Sequence, residues 1–393
     1  MTARRIDMAI AGGGLAGGLI ALALHRARPE FTIALVEQGP MIGGNHRWSW
    51  FASDLDADGA ALLSGFRTAS WGGYDVRFPG YRRDLGTAYH SLASVDFDAA
   101  LRRELAEGAL IVGRSIHSLD ARGIDLDNGE RIEARTVIDC RGIDSAAQLT
   151  GGWQVFIGRH LRTPRPHGIA RPTIMDADVE QYGAYRFVYT LPLGAQDLFV
   201  EDTYYADTPQ LDRNALSGRI DRYCQRAGWQ GNPVGFETGV LPVITGGNFA
   251  AFQAAHRIDG VAVAGTRGGF MHPLTSYSLP FAVETALAIA RDADLPGVQL
   301  AAMLEGRARQ HWSRTRFYRQ LGRMLFRAGS AEERWRIFAR FYRLPRPLIE
   351  RFYAAQTTRL DRARVLCGKP PVPVMGALAA LVGQGRALER DAA

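Results

Sequence analysis

Apolar positions follow two rhythms along this chain. The first thirty-odd residues, "RIDMAIAGGGLAGGLIALALHRARPEFTIALVEQG", hold an apolar run from Ile6 to Ala11, a glycine cluster, a long apolar segment and a second apolar run ending on Glu37. This pattern predicts strand, glycine turn, helix, strand and acid in that order. "SVDFDAALRREL" then spaces its apolar residues as an amphipathic helix does, with a start signal at Ser94 or Asp96. Short strands follow, with a hairpin turn at Asp127-Asn128-Gly129 and an apolar strand ending at Gly142. From Gly151 to about Phe252 the texture changes to β-rich runs ("VFIGRHLR", "YRFVYTLPL", "DLFVEDTYY", "FETGVLPVI") separated by Gly, Pro, Asn and Asp. Few crossover helices separate them, which predicts an antiparallel sheet. "DRNALSGRIDRYCQRAGW" is the exception and reads as a helix. "RIDGVAVAGTRGGF" repeats the opening logic of apolar strand and glycine loop before another helix, and the remainder is helical with arginines flanking aromatics such as Trp335, Phe338 and Tyr342.

The opening unit carries chemistry. Gly12, Gly14 and Gly17 satisfy GxGxxG directly after a strand. Gly12 permits the tight turn, Gly14 lets backbone approach a pyrophosphate, and Gly17 lets helix and strand pack closely. Glu37 stands where a carboxylate accepts hydrogen bonds from ribose hydroxyls. The stretch could imitate a signal peptide, but its glycines fall at nucleotide-binding positions. Gly43 and Gly44 in "GPMIGGNHRWSW" supply a second flexible turn, and the whole resembles FAD-binding proteins of the glutathione reductase type. Most of those carry an Asp just after the glycine of the late loop. Here Thr266 and Arg267 occupy that place. Arg267 is expected to set a positive charge near phosphate or isoalloxazine, the alternatives being that it points to solvent or pairs with a carboxylate.

"FVEDTYY" (199–205) places two acids inside a strand pattern. Phe199, Glu201 and Thr203 share one face and Val200, Asp202 and Tyr204 the other, so only one acid can enter a cavity. A carboxyl buried there stays protonated near neutrality and becomes a proton donor.

The 393 residues suggest two to three domain-sized units, and 47% hydrophobic with 22% charged residues describe an ordinary globular chain. Three scattered cysteines without a CxxC exclude a disulfide framework and a zinc site, so no metal is expected and a reducing cytoplasm is the natural compartment. No uninterrupted apolar run reaches spanning length. The net charge of +7 is uneven: residues 305–369 hold 17 basic and five acidic side chains. No nucleic-acid motif accompanies that excess, so none is expected as a partner. A core-facing stripe or a lipid-contacting surface are its two readings.

These segments together resemble the bacterial lycopene β-cyclases. The likeness runs through "GGNHRWSW" (43–50), "VRFP" (76–79), "VIDCRG" (137–142), "PHGIARPTIMDADV" (166–179), "YRFVYTLPL" (185–193), "EDTYY" (201–205), "HPLTSYSLP" (272–280), "RMLFRAG" (323–329), "RFYRLP" (340–345) and "GKPPVPV" (368–374). The resemblance implies an α/β fold: a Rossmann-type, glutathione-reductase-like FAD-binding domain with an inserted antiparallel substrate sheet and a helical C-terminal region. The expected division is 1–80 with 105–150 and 256–295 for the cofactor, 151–255 plus part of 81–104 for the substrate, and 296–393 as basic helices. It implies a redox-neutral, flavin-dependent cyclase (an intramolecular lyase or isomerase) using reduced FAD, with NAD(P)H as electron source and lycopene or related acyclic and monocyclic carotenoids as substrate. A redox flavoenzyme of related fold, a monooxygenase or polyprenyl reductase, is the alternative. Glu201 maps onto the proton-donating acid, with Asp202 beside it. The cofactor set is Gly12, Gly14, Leu15, Ala16, Gly17, Glu37, Gly43, Gly44, Arg47, Gly265, Arg267, Gly268 and Gly269. Trp48, Trp50, Phe51, Tyr185, Phe187 and Tyr204 are the aromatics offered to a carbocation, and Glu201 itself, a flavin nitrogen or His272 the candidate bases. A bilayer-borne substrate implies peripheral docking on the inner face of the cell membrane.

Overall fold

The computed structural model describes residues 6–368, 380 and 385–389. Within "GKPPVPV" (368–374), all but Gly368 lies outside the described residues.

The apolar runs and glycine turn of the N-terminus build a parallel sheet. Ile6–Ala11 is central, flanked by Ile33–Glu37 and Arg131–Asp139, with Leu110–Val112 beyond the former and Ala262–Val263 on the latter. Gly123–Leu126 and Ile116–Asp120 extend the sheet antiparallel. Leu15–Ala27 and Leu279–Arg291 are apolar on the faces they share, and their side chains meet in one core with Ile10, Leu35 and Ile138 of the sheet. Ser94–Glu104 is a helix as predicted, but neither Ser94 nor Asp96 caps it: Ala93 holds the cap position without a side-chain bond. The Ser94 hydroxyl is drawn instead toward the His46 amide (3.3 Å).

The second sheet is larger than the segment predicted for it. Its order is Asn232–Gly247, Ala146–Arg162, Asp197–Ala206, Tyr185–Pro192, Thr173–Asp176, Tyr74–Phe78 and Tyr81–Leu85, with Ala387–Leu388 beside the second of these. Two boundaries therefore move. Residues 74–80, assigned above to the cofactor domain, belong to this sheet, and so does the start of the long strand at Ala146. Tyr74, Val76 and Phe78 point into the second core, which is why they pair there. The pairing is antiparallel except between Thr173–Asp176 and Tyr74–Phe78, which run parallel. A small third sheet, Arg47–Phe51, Tyr89–Ala93 and Ala69–Trp71, packs Trp50 and Leu92 into the first core and Phe51 and Tyr89 into the second.

Helix Arg213–Arg226 covers one face of the second sheet through Leu216, Ile220 and Tyr223. On the other face, the C-terminal helices Gly297–Arg314, Arg316–Arg327, Trp335–Phe341 and Arg346–Tyr353 share an aromatic core with the sheet. Their aromatic stripe is a core face: Tyr342 is fully buried and Phe338 stacks flat on Tyr185 at 4.3 Å.

Candidate active site

One cavity of about 520 Å³ runs from the glycine turn of the first sheet to the inner face of the second. Gly12 adopts φ +98°, and a Cβ there would lie 2.8 Å from the Cys140 carbonyl. A Cβ on Gly17 would collide with the Gly12 carbonyl. Gly14 differs: it is the residue before helix Leu15–Ala27, it is extended, and a Cβ on it would meet nothing within 4 Å. That opening lies in front of the helix's free N–H groups, which is the space a pyrophosphate requires. Glu37 accepts from the Gly13 and Gly39 amides, both at 2.8 Å, so its orientation is fixed by the turn it serves. Leu15, Ala16, Gly43, Gly44, Arg47 and Gly265 also border the cavity. Gly17, Gly268 and Gly269 do not, and act in packing and turning the backbone.

Arg267 does not reach the cavity. Its guanidinium lies 3.0 Å from Asp139, 3.2 Å from Asp144 and 3.0 Å from the Gly142 carbonyl. Asp139 is wholly buried, and two cations, Arg267 and Arg141, compensate it. The carboxylate-pairing alternative is thus the correct one. Arg141, from the quoted "VIDCRG", lines the cavity and went unread.

At the far end, strand register sets the chemistry. Glu201 pairs with Gly158 on one side and Tyr189 on the other, and Gly158 pairs in turn with Glu237. Residues in one row of a sheet share a face, so Glu237, Gly158, Glu201 and Tyr189 all look toward the cavity, and the three with side chains line it. Thr203 donates to Glu201 Oε1 at 2.7 Å, while Oε2 has no hydrogen-bond partner among the described residues. Burial, then the nearby charge of Glu237, pushes the Glu201 carboxyl up to about 8. This acid is neutral at pH 7.

Asp202 faces the other way. Its carboxylate takes Arg186 Nε at 2.6 Å and the Tyr204 hydroxyl at 2.8 Å, beneath helix Arg213–Arg226. It does not border the cavity and is corrected to a structural ion pair. Tyr204 shares that face and leaves the pocket set with it, receiving Arg219 at 2.7 Å.

Trp48 and Phe187 line the cavity. Trp50 does not, because it stacks on His90 inside the first core; Phe51 packs against Tyr74, Tyr89 and Tyr353. Tyr185 lies on the cavity side of the sheet but is covered by Phe338. His272 is no base: it is buried, its Nδ1 accepts the Leu274 and Thr275 amides, and its Nε2 meets the Phe352 carbonyl. Burial drives its pKa down to about 3.

The match to the family model described as lycopene cyclase protein covers residues 7–379. The chain belongs to the lycopene cyclase family. It is 43% identical to the lycopene beta-cyclase of Pseudescherichia vulneris over 94% of this chain and 95% of that one. Against the lycopene beta-cyclase of Pantoea ananas it is 40% identical over 96% of this chain and 98% of that one. Among solved structures, a geranylgeranyl bacteriochlorophyll reductase-like protein from Thermoplasma acidophilum superposes with a TM-score of 0.61 at 13% identity, covering 93% of this chain and 97% of that one. A flavin-dependent halogenase from Xanthomonas campestris gives 0.56 at 15%, covering 82% and 78%. At those identities the likeness is one of fold, a Rossmann-type flavoprotein architecture.

Cavity residues that sequence reasoning missed divide by cause. Tyr205 follows Glu201 at the same parity, so alternation along "FVEDTYY" places it on the same face. Glu237 and Tyr189 reach Glu201 only through register, which no local pattern encodes.

Proposed function

We propose that this chain is a lycopene β-cyclase that closes the acyclic ends of lycopene to β-rings without net redox change. The observation that carries the reading is Glu201: a carboxyl on a cavity wall, its outer oxygen unbonded, held neutral by burial. An acid of this kind protonates a hydrocarbon when no water competes.

The steps balance. Glu201 gives its proton to C2 of the terminal C1=C2 bond, leaving a tertiary cation at C1. The C5=C6 π pair attacks C1, the charge moves to C5, and loss of the C6 proton forms the new C5=C6 bond. C2 and C6 are both bonded to C1, so a carboxylate poised at one is poised at the other. Glu201 therefore takes the second proton back and ends the cycle as it began. Phe187, Tyr189, Phe199 and Tyr205 present aromatic surface to the cation, worth about 0.5–2 kcal/mol for each ring in contact once water is excluded.

The residues at the other end fit FAD. The open space before Gly14, the tethered Glu37 and the cation of Arg141 suit pyrophosphate and ribose, and the cavity continues unbroken to Glu201. Reduced flavin bound there supplies electron-rich character opposite a cation, and NAD(P)H is the proposed source of its electrons. Peripheral docking on the inner face of the membrane belongs to the same reading, supported by the basic segment 305–369 and a substrate that dissolves in lipid.

The test is anaerobic. Reduced enzyme is incubated with lycopene, pigments are separated by chromatography, and nicotinamide consumed is counted. β-Carotene formed in excess over nicotinamide is expected, and Glu201→Gln is expected to form none. One nicotinamide oxidised per ring, or normal cyclisation by Glu201→Gln, would refute the proposal.

A further inference from the structure

Glu237 is the second carboxylate of the cavity and the reaction as written does not use it. It comes from the edge strand Asn232–Gly247, two strands from Glu201, with only Gly158 between them in the row. Neighbouring strands lie about 4.8 Å apart, so the two backbones are about 10 Å apart and the side chains converge over a residue that has none. The Phe199 ring fills the space above Gly158, where any Cβ would strike it. The two acids therefore share no hydrogen bond and act on each other across an apolar ring, where a charge is poorly screened.

Glu237 is also anchored. It is buried, it accepts the Arg47 amide at 3.0 Å, and His46 Nδ1 lies 3.5 Å away. His46 and Arg47 belong to "GGNHRWSW", whose Gly43 and Gly44 border the nucleotide end of the cavity. A single side chain thus ties the cofactor-side strand to the acid's row.

We infer that Glu237 is a positioning residue: a fixed carboxylate that, from across Gly158, keeps the proton on Glu201 until substrate takes it. This rests on the proposed cyclase reading and deepens it. The other groups around Glu201 do not match this role. Thr203 donates to it and favours the charged form, Asp202 is turned away and paired with Arg186 and adds only the smallest push in the same direction, and Tyr189 and Tyr89 are phenols bonded to each other. Arg47 sets its guanidinium over the Phe199 ring at 5.6 Å, where it feels the charge of Glu237.

The test follows the proton directly. In flavin-loaded protein, the infrared band of the protonated carboxyl is titrated with pH and assigned by its loss in Glu201→Gln; the pH profile of cyclisation is measured in parallel. Removing a like charge makes Glu201 ionise earlier, so in Glu237→Gln both the band midpoint and the alkaline limb are expected to move down by about one pH unit. Below the limb the loss of rate is expected to be smaller than above it. Glu237→Asp, which keeps the charge but retracts it, is expected to move both in the same direction by less, and serves alone if the Gln variant does not fold. A midpoint unmoved in these variants, or a rate that falls equally at every pH, overturns the inference. Should Glu201→Gln itself remain active, it is the cyclase reading that fails.

Discussion

Two adjacent acids with opposite fates show how far one residue's surroundings decide its chemistry. Glu201 faces a cavity and keeps its proton; Asp202 faces a packed helix and is compensated by Arg186. Each predicts a distinct signature in stability. Glu201 holds a proton in the native state up to about pH 8, whereas its ordinary value is 4.5. Between those limits the unfolded chain binds fewer protons than the native one, so stability falls as pH rises. Glu201→Gln cannot ionise, so its melting temperature relative to the parent is expected to climb from pH 5 to pH 8 and then level off. A constant difference across that range would show that the carboxyl is not held neutral. Asp202→Asn instead strands Arg186, which is 1% exposed. Loss of a buried partner costs about 3–5 kcal/mol, and denaturant midpoints should drop accordingly while folded enzyme still cyclises. Sequence alternation alone separates the two faces. Which face is the cavity depends on where helix Arg213–Arg226 docks, and that is a tertiary fact.

At the scale of elements, what was legible is what is local. The strand–glycine–helix unit sits within forty residues, and each glycine's place follows from sterics at short range. Its glycines nevertheless serve different ends, which gives a sharp contrast. Gly17→Ala would drive a methyl group into the Gly12 carbonyl and is expected to destabilise the fold by several kcal/mol, on the scale of about 1–3 for overpacking and more against rigid backbone. Gly14→Ala meets no protein atom and keeps an allowed backbone. Its apoprotein should melt within a degree or two of the parent while flavin affinity, followed by fluorescence quenching, falls at least tenfold. Equal affinity would mean that the opening before this helix is not where the phosphates lie. Long-range facts escaped the sequence: Glu237 lies 36 residues beyond Glu201, and Arg267, read as a cation at a cofactor loop, is claimed by Asp139 and Asp144 from another strand end.

Across the whole molecule, the composition of the C-terminal helices blurs a core face with an exposed one. Aromatic residues of Trp335–Phe341 and Arg346–Tyr353 close the back of the substrate sheet, so the stripe legible in the sequence is core and not lipid contact. The exposed apolar surface that the proposed docking would use lies further on, in helix Arg359–Leu366. Leu360 is 83% exposed and Leu366 54%, flanked by exposed Arg359 and Arg364. Among the described residues no helix is long and apolar enough to cross a membrane; the docking proposed above would therefore use this surface together with charge. Burying two leucines contributes about 1.5–3 kcal/mol each, and each arginine near an anionic surface about 1 kcal/mol. Flotation with phosphatidylglycerol vesicles should therefore carry the protein upward, more weakly in high salt and hardly at all with neutral lipid. Leu360→Asp combined with Leu366→Asp removes the inserted part and adds charge of the repelled sign. That variant is expected to lose more than tenfold in vesicle binding while cyclising detergent-dispersed lycopene at the parental rate, because neither leucine borders the cavity. If the double variant floats as well as the parent, the helix is not the docking element. If it fails with dispersed substrate too, these leucines support the aromatic core behind the site instead of the approach to it.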